Sequence, residues 1–164
     1  MKAKPQGRFN WNRGIGIYEM LGGVLGFLLT VYILFTKLPG MMGEVPEAGL
    51  KLFLVVISVF ALAGYGLTFF AGWSLWKGMK RGIPLSLAAQ AIQIPQFSLG
   101  GLSYLFMAGL QLSVFMGEEG MSFATYLGSR WNIYISFEGY VTGVGFNLVA
   151  IAIFIYLYRQ FKKA

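Results

Sequence analysis

The chain has no cysteine, no histidine and no aspartate. Without cysteine there are no disulfides, no thiolate metal sites and no prenyl or palmitoyl attachment. Without histidine there is no haem or zinc ligation through imidazole, and no Ser–His or Cys–His nucleophilic pair. Charge is also scarce: 12% of the 164 residues are charged, against about a quarter in soluble domains. The glycines lie inside apolar stretches and form no phosphate-binding loop. No residue pair has the pattern of a catalytic acid and base. The expectation is no enzyme activity, no cofactor and no metal site.

Apolar sequence is abundant, at 57% of residues. It falls into four runs, at about 14–36, 50–76, 84–115 and 140–158. Each is long enough to cross a hydrocarbon core of about 30 Å at about 1.5 Å per residue. These runs predict an all-α fold: one domain, 1–164, built as a four-helix transmembrane bundle. The stretches between them are short loops, apart from an outer loop at 117–139.

The third run organises this expectation. On a helical wheel Ser86, Gln90, Gln93, Gln96, Gly100, Ser103, Tyr104, Met107 and Gln111 gather in a sector of roughly 140°. Glutamines in such a run must face protein or water, not lipid. The run is longer than a bilayer requires, and Pro95 with Gly100-Gly101 predicts a kink. Further on, Trp131, Ile133, Ile135 and Phe137 alternate with polar residues, which predicts a short extended stretch inside the outer loop.

The formal charge is +7. The basic residues flank the apolar runs, as membrane-orienting charges do, so a nucleic-acid partner is not expected. Ten of the thirteen Lys and Arg residues fall on one side, in the two tails and at 77–81. The positive-inside rule then places both termini in the cytoplasm. The expected location is a bacterial cytoplasmic (inner) membrane, with the first run retained because it lacks a signal-peptide cleavage pattern.

Three sets of residues are candidates for function. Glu19 is the one acidic residue inside an apolar run, and topology brings Gln90 and Gln93 to similar depth. That set reads either as a proton- or cation-coupled site or as a carboxylate satisfied by its neighbours. Tyr65, Gln96 and Asn147 sit near the centres of their runs, and could line a small polar cavity or bond one another across helices. The outer loop 117–139 could cap the bundle or dock a partner. Gly22 and Gly26 form a GxxxG pair, which serves packing within the chain or a homo-oligomer seam.

Four runs with one glutamate in the first resemble the small multidrug resistance transporters in outline. The longer chain and larger outer loop depart from that family, and no residue role carries over. The leading expectation is a non-catalytic accessory subunit or interaction partner in a membrane assembly. The alternative is a small proton- or cation-coupled transporter using Glu19 and the glutamines.

Overall fold

Glycine sets how closely the two longest helices approach. The computed structural model describes residues 10–44, 47–99, 102–118, 120–135 and 142–163. Helix α1 spans Trp11–Thr36, a short α2 spans Leu38–Glu44, and α3 returns antiparallel over Ala48–Trp76. A Cβ added at Gly16 would lie 2.6 Å from the Gly72 carbonyl oxygen, and one added at Gly72 would meet the Gly16 carbonyl in turn. Gly23 lies against Phe69, and Gly26 against the Tyr65 ring. Small residues here let the two backbones touch. The hydroxyls of Thr30, Ser58 and Thr68 donate to carbonyls four residues back, at 2.8, 2.8 and 2.9 Å. No polar group on these faces then looks outward. The outer faces carry exposed Leu21, Leu25, Leu28, Val59, Phe60 and Phe70.

The other two expected spans are not transmembrane helices, so the four-helix bundle is overturned. Helix α4 runs only over Gly82–Gln93 and is followed by β1 (Pro95–Leu99) and β2 (Leu102–Gly117). Ile94 still has helical backbone angles, but Pro95 has no N–H to continue the ladder and its ring crowds the preceding turn, so the run breaks instead of kinking. Beyond it, Leu110 and Leu112 are exposed while Gln111 and Ser113 are buried, which is the alternation of a strand. A helical wheel at 100° gathers the same polar residues without testing that second period. The outer loop expected at 117–139 is mostly β3, Gly120–Ile135. The extended stretch expected at 131–137 is its far end, as far as Ile135. The fourth run divides as well. Its start is β4, Gly143–Asn147, and only Leu148–Phe161 is helix α5. The described residues thus hold five helices and four strands, with two helices long and apolar enough to cross a membrane. At about 18 and 21 Å, α4 and α5 fall short of a bilayer. The outline resemblance to four-helix transporters goes with the bundle. Gly100, Gly101, Glu119 and residues 136–141 lie outside the described residues.

The sheet is antiparallel throughout, in the order β1-β4-β2-β3, with β1 also pairing to the start of β2. β2 and β3 form one long hairpin, from Leu102↔Ile135 to Gly117↔Gly120. Gly109 and Gly128 face each other in it with φ of 110° and 140°. Side chains rarely adopt that backbone, so glycine is required at this bend. The bend crosses α1, where a Cβ on Gly22 would lie 2.6 Å from the Ala108 carbonyl carbon. Ala61, Tyr65, Phe106 and Ala108 form the core between helices and sheet.

Gly16 beside Trp76, and Gly82 beside Leu75, place the start of α1, the end of α3 and the start of α4 together. The Asn147 N–H donates to Ile94 O at 3.0 Å, so α5 starts where α4 ends and returns beside it. Arg13, Lys77, Lys80, Arg81, Arg159, Lys162 and Lys163 therefore collect at one end of the molecule. Lys77 lies 4.7 Å from the centre of the Trp76 ring, and Lys162 4.9 Å from that of Tyr158.

Two glycines on the same helix separate packing from propensity. Alanine is favoured over glycine in a helix by about 1 kcal/mol. A Cβ at Gly66 meets nothing within 4 Å. Gly66→Ala is expected to keep or raise the thermal midpoint in detergent, and Gly72→Ala to lower it by several degrees. Equal effects would remove the close α1–α3 contact from the explanation.

Candidate functional site

Glu19 is fully buried, although its helix is otherwise apolar. Ser86 Oγ donates to one carboxylate oxygen at 2.6 Å, and Gln90 Nε2 to the other at 2.8 Å. Ser86 and Gln90 are one turn apart on α4, so they share a face and reach Glu19 together. Both are fully buried. Lys80 and Arg81 remain exposed at the basic end. The carboxylate is thus held by two neutral donors. Gln90 Oε1 is buried and has no hydrogen-bond partner.

The third residue of this expected set serves another purpose. Gln93 Nε2 donates to Ala89 O at 3.0 Å, and its Oε1 accepts from Ala108 N at 2.9 Å. It closes the end of α4 and ties it to β2. Tyr104 adds a hydroxyl bond to Ile92 O at 2.7 Å, also at the end of α4. The Ile92 carbonyl is one of those that a helix terminus leaves free.

Of the second expected set, Gln96 and Asn147 lie on either side of Ser113, while Tyr65 is placed elsewhere. Tyr65 donates to Met107 O at 3.2 Å. Gln96 lies on β1, where Nε2 donates to Ser113 Oγ at 2.9 Å, and Gln111 Nε2 reaches the same hydroxyl. Asn147 caps α5, its Oδ1 accepting from Val149 N at 3.1 Å and Ala150 N at 3.4 Å. Gln96 and Asn147 thus serve one joint, where β1, β4 and β2 meet, and Tyr65 serves another. Gly22 and Gly26, the expected oligomer seam, are buried against β2 and Tyr65 of the same chain.

Several residues with important contacts escaped the sequence reading. Tyr18 OH accepts from Leu110 N at 3.0 Å and donates to Leu110 O at 3.1 Å. Ser129 Oγ donates to Gly22 O at 2.7 Å. β2 pairs with β1 up to Tyr104 and with β4 only from Ser113. Between those points, side chains of α1 and α4 stand in for a strand. The alternation of Gln111 and Ser113 with leucines was the signal for β2, whereas nothing local marks Tyr18 or Ser129.

Two hollows among the described residues are apolar. One, of about 300 Å³, lies between α3, α4 and the sheet, lined by Phe60, Gly64, Ile92, Tyr104, Phe106 and Trp131 among others. Another, of about 240 Å³, lies between α1 and α3. Neither reaches Glu19. Comparison with known protein families, with curated proteins and with solved structures finds no match to this chain.

The Glu19 joint predicts non-additive mutations. Gln90→Leu leaves a buried carboxylate oxygen without its donor, at an expected cost of about 1–3 kcal/mol. Combining it with Glu19→Leu removes the stranded group. The double variant is expected to be less destabilised than the two single losses together, in a double-mutant cycle on denaturation in detergent. Strict additivity would rule out the coupling.

Proposed function

We propose that this is a small integral membrane protein whose work is interaction and not catalysis. The reading rests chiefly on where its buried polar groups go. Glu19, Gln93, Gln96, Tyr65 and Asn147 each bond to a neighbouring part of the chain. No described hollow opens onto any set of them that could handle a polar substrate.

Two long apolar helices with lipid-like outer faces support membrane insertion. The basic residues gathered at one end beside Trp76 and Tyr158 support an orientation with that end in the cytoplasm, both termini included. A bacterial inner membrane is the location we propose. α4, α5 and the sheet then lie against the two spanning helices and do not cross the bilayer on their own.

A second reading has one observation in its favour. The unpartnered Gln90 Oε1 gives the Glu19 joint a spare acceptor. A joint with two carboxylate oxygens, a hydroxyl and a free amide oxygen could take up a proton or a small monovalent cation. Proton- or cation-coupled transport is the function that would use it.

The test is extraction in mild detergent from the native membrane, followed by intact-particle mass and identification of every chain. Foreign subunits in fixed stoichiometry are the result expected of an accessory protein. This chain alone, with proton flux in vesicles abolished by Glu19→Gln at unchanged expression, would replace the interaction reading with the transport one.

A further inference from the structure

Among the described residues, the outer edge of β3 is open. β3 pairs with β2 along its whole length, and no described strand pairs with its other side. Over 120–127 both faces of β3 are exposed, including Met121, Phe123, Tyr126 and Leu127 at 61, 66, 44 and 80%. An edge of this kind fits neither solvent. In hydrocarbon its backbone groups would go unsatisfied. In water its apolar side chains would be bare, and proteins guard such edges with lysine, proline or inward charge. This stretch has none of them.

We propose that the edge pairs with the same edge of a second copy, antiparallel about a two-fold axis at Ala124. The sequence is complementary to itself in that register. Ala124 meets Ala124 on the axis. Phe123 faces Thr125, Ser122 faces Tyr126, Met121 faces Leu127 and Gly120 faces Gly128. Phe123 with Thr125 and Ser122 with Tyr126 set an aromatic ring against a smaller side chain, and Met121 with Leu127 is an apolar pair, which cross-strand packing favours. Exposed Glu118 lies in the β2–β3 turn just before the apolar stretch, and exposed Arg130 lies just after it. The register carries Arg130 of each copy past Gly120 of the partner subunit, toward the turn that holds Glu118 of the partner subunit, so opposite charges lie at both ends. Any like-with-like parallel pairing would set the same charges side by side.

The backbone agrees with this register. Ala108 N and both backbone groups of Leu110 bond to Gln93 and Tyr18, so even-numbered residues of β2 point away from β3. The odd residues of β2 therefore bond to β3, and their partners there are even-numbered. That leaves Met121, Phe123, Thr125 and Leu127 with N–H and C=O turned to the open edge. The proposed register pairs these residues with one another. Ala124 then opposes its copy as a non-hydrogen-bonded pair, where the backbones come closest, at about 4.5 Å between Cα atoms.

The proposal does not depend on a foreign subunit being bound elsewhere, because its readout counts copies of this chain only. The natural chain has no cysteine, so single cysteines report contacts without background. Cysteine is placed in turn at positions 121 to 127, and at exposed Val59 of α3 as a collision control. Each variant is oxidised in native membranes. The expected result is a shift from one chain's mass to two, with maximal yield for Ala124→Cys, whose Cα separation suits a disulfide. Met121→Cys and Leu127→Cys are expected to cross-link strongly when co-expressed on separate chains and weakly alone. Arg130→Glu is expected to reduce the Ala124→Cys yield, and Glu118→Arg added to it to restore the yield. A maximum at another position, or yields no higher than at Val59, overturns the pairing. So does capture of the edge by a different protein in place of the second copy.

Discussion

Every buried backbone N–H and C=O in this fold must find a partner, and the architecture follows from that requirement. Helices α1 and α3 meet it within themselves, with threonine and serine bonded back one turn. The sheet cannot meet it alone. Between its pairings to β1 and β4, β2 has a stretch with no strand on one side, and Tyr18 and Gln93 fill it from two different helices. These bonds fix the register of helix against strand. The same polar contacts that stabilise the sheet thus position it against the two long helices.

The short helices obey the same constraint. α4 ends where Pro95 forbids its continuation, and its last carbonyls are met by Tyr104 and the backbone of Asn147. α5 begins at that same joint, capped by the Asn147 side chain. The break in the helix is therefore tolerated, because protein groups replace the missing turn. The Glu19–Ser86–Gln90 contact lies one turn earlier on α4 and bonds it to α1. A buried carboxylate of this kind is weak evidence for stability, since an apolar pair could pack as well. Its retention is the strongest reason to keep proton or cation exchange as the second function.

Much of the candidate site was legible before the fold was known. Glu19 stood out because charge is rare in apolar runs, and Gln90 follows from the short connection between α3 and α4. Gln93 was placed at the right depth, but its partner is a strand that the helical reading did not contain. Tyr65, Gln96 and Asn147 were grouped by depth in four equal spans. Once two spans become half-helices and strands, equal position in a run no longer means equal position in space.

Composition and spacing sufficed for the apolar character, the two long helices, their glycine contact face and the clustering of positive charge. All of these depend on residues near one another along the chain or on simple counts. The sheet did not follow from such local signals. A run of apolar residues between bounds can be helix or strand, and its hydrogen bonds to distant segments settle which. β2 is a strand because β3, β4, Tyr18 and Gln93 supply partners for its backbone. The open edge of β3 likewise belongs to no residue of its own, since it depends on what the folded chain leaves unpaired.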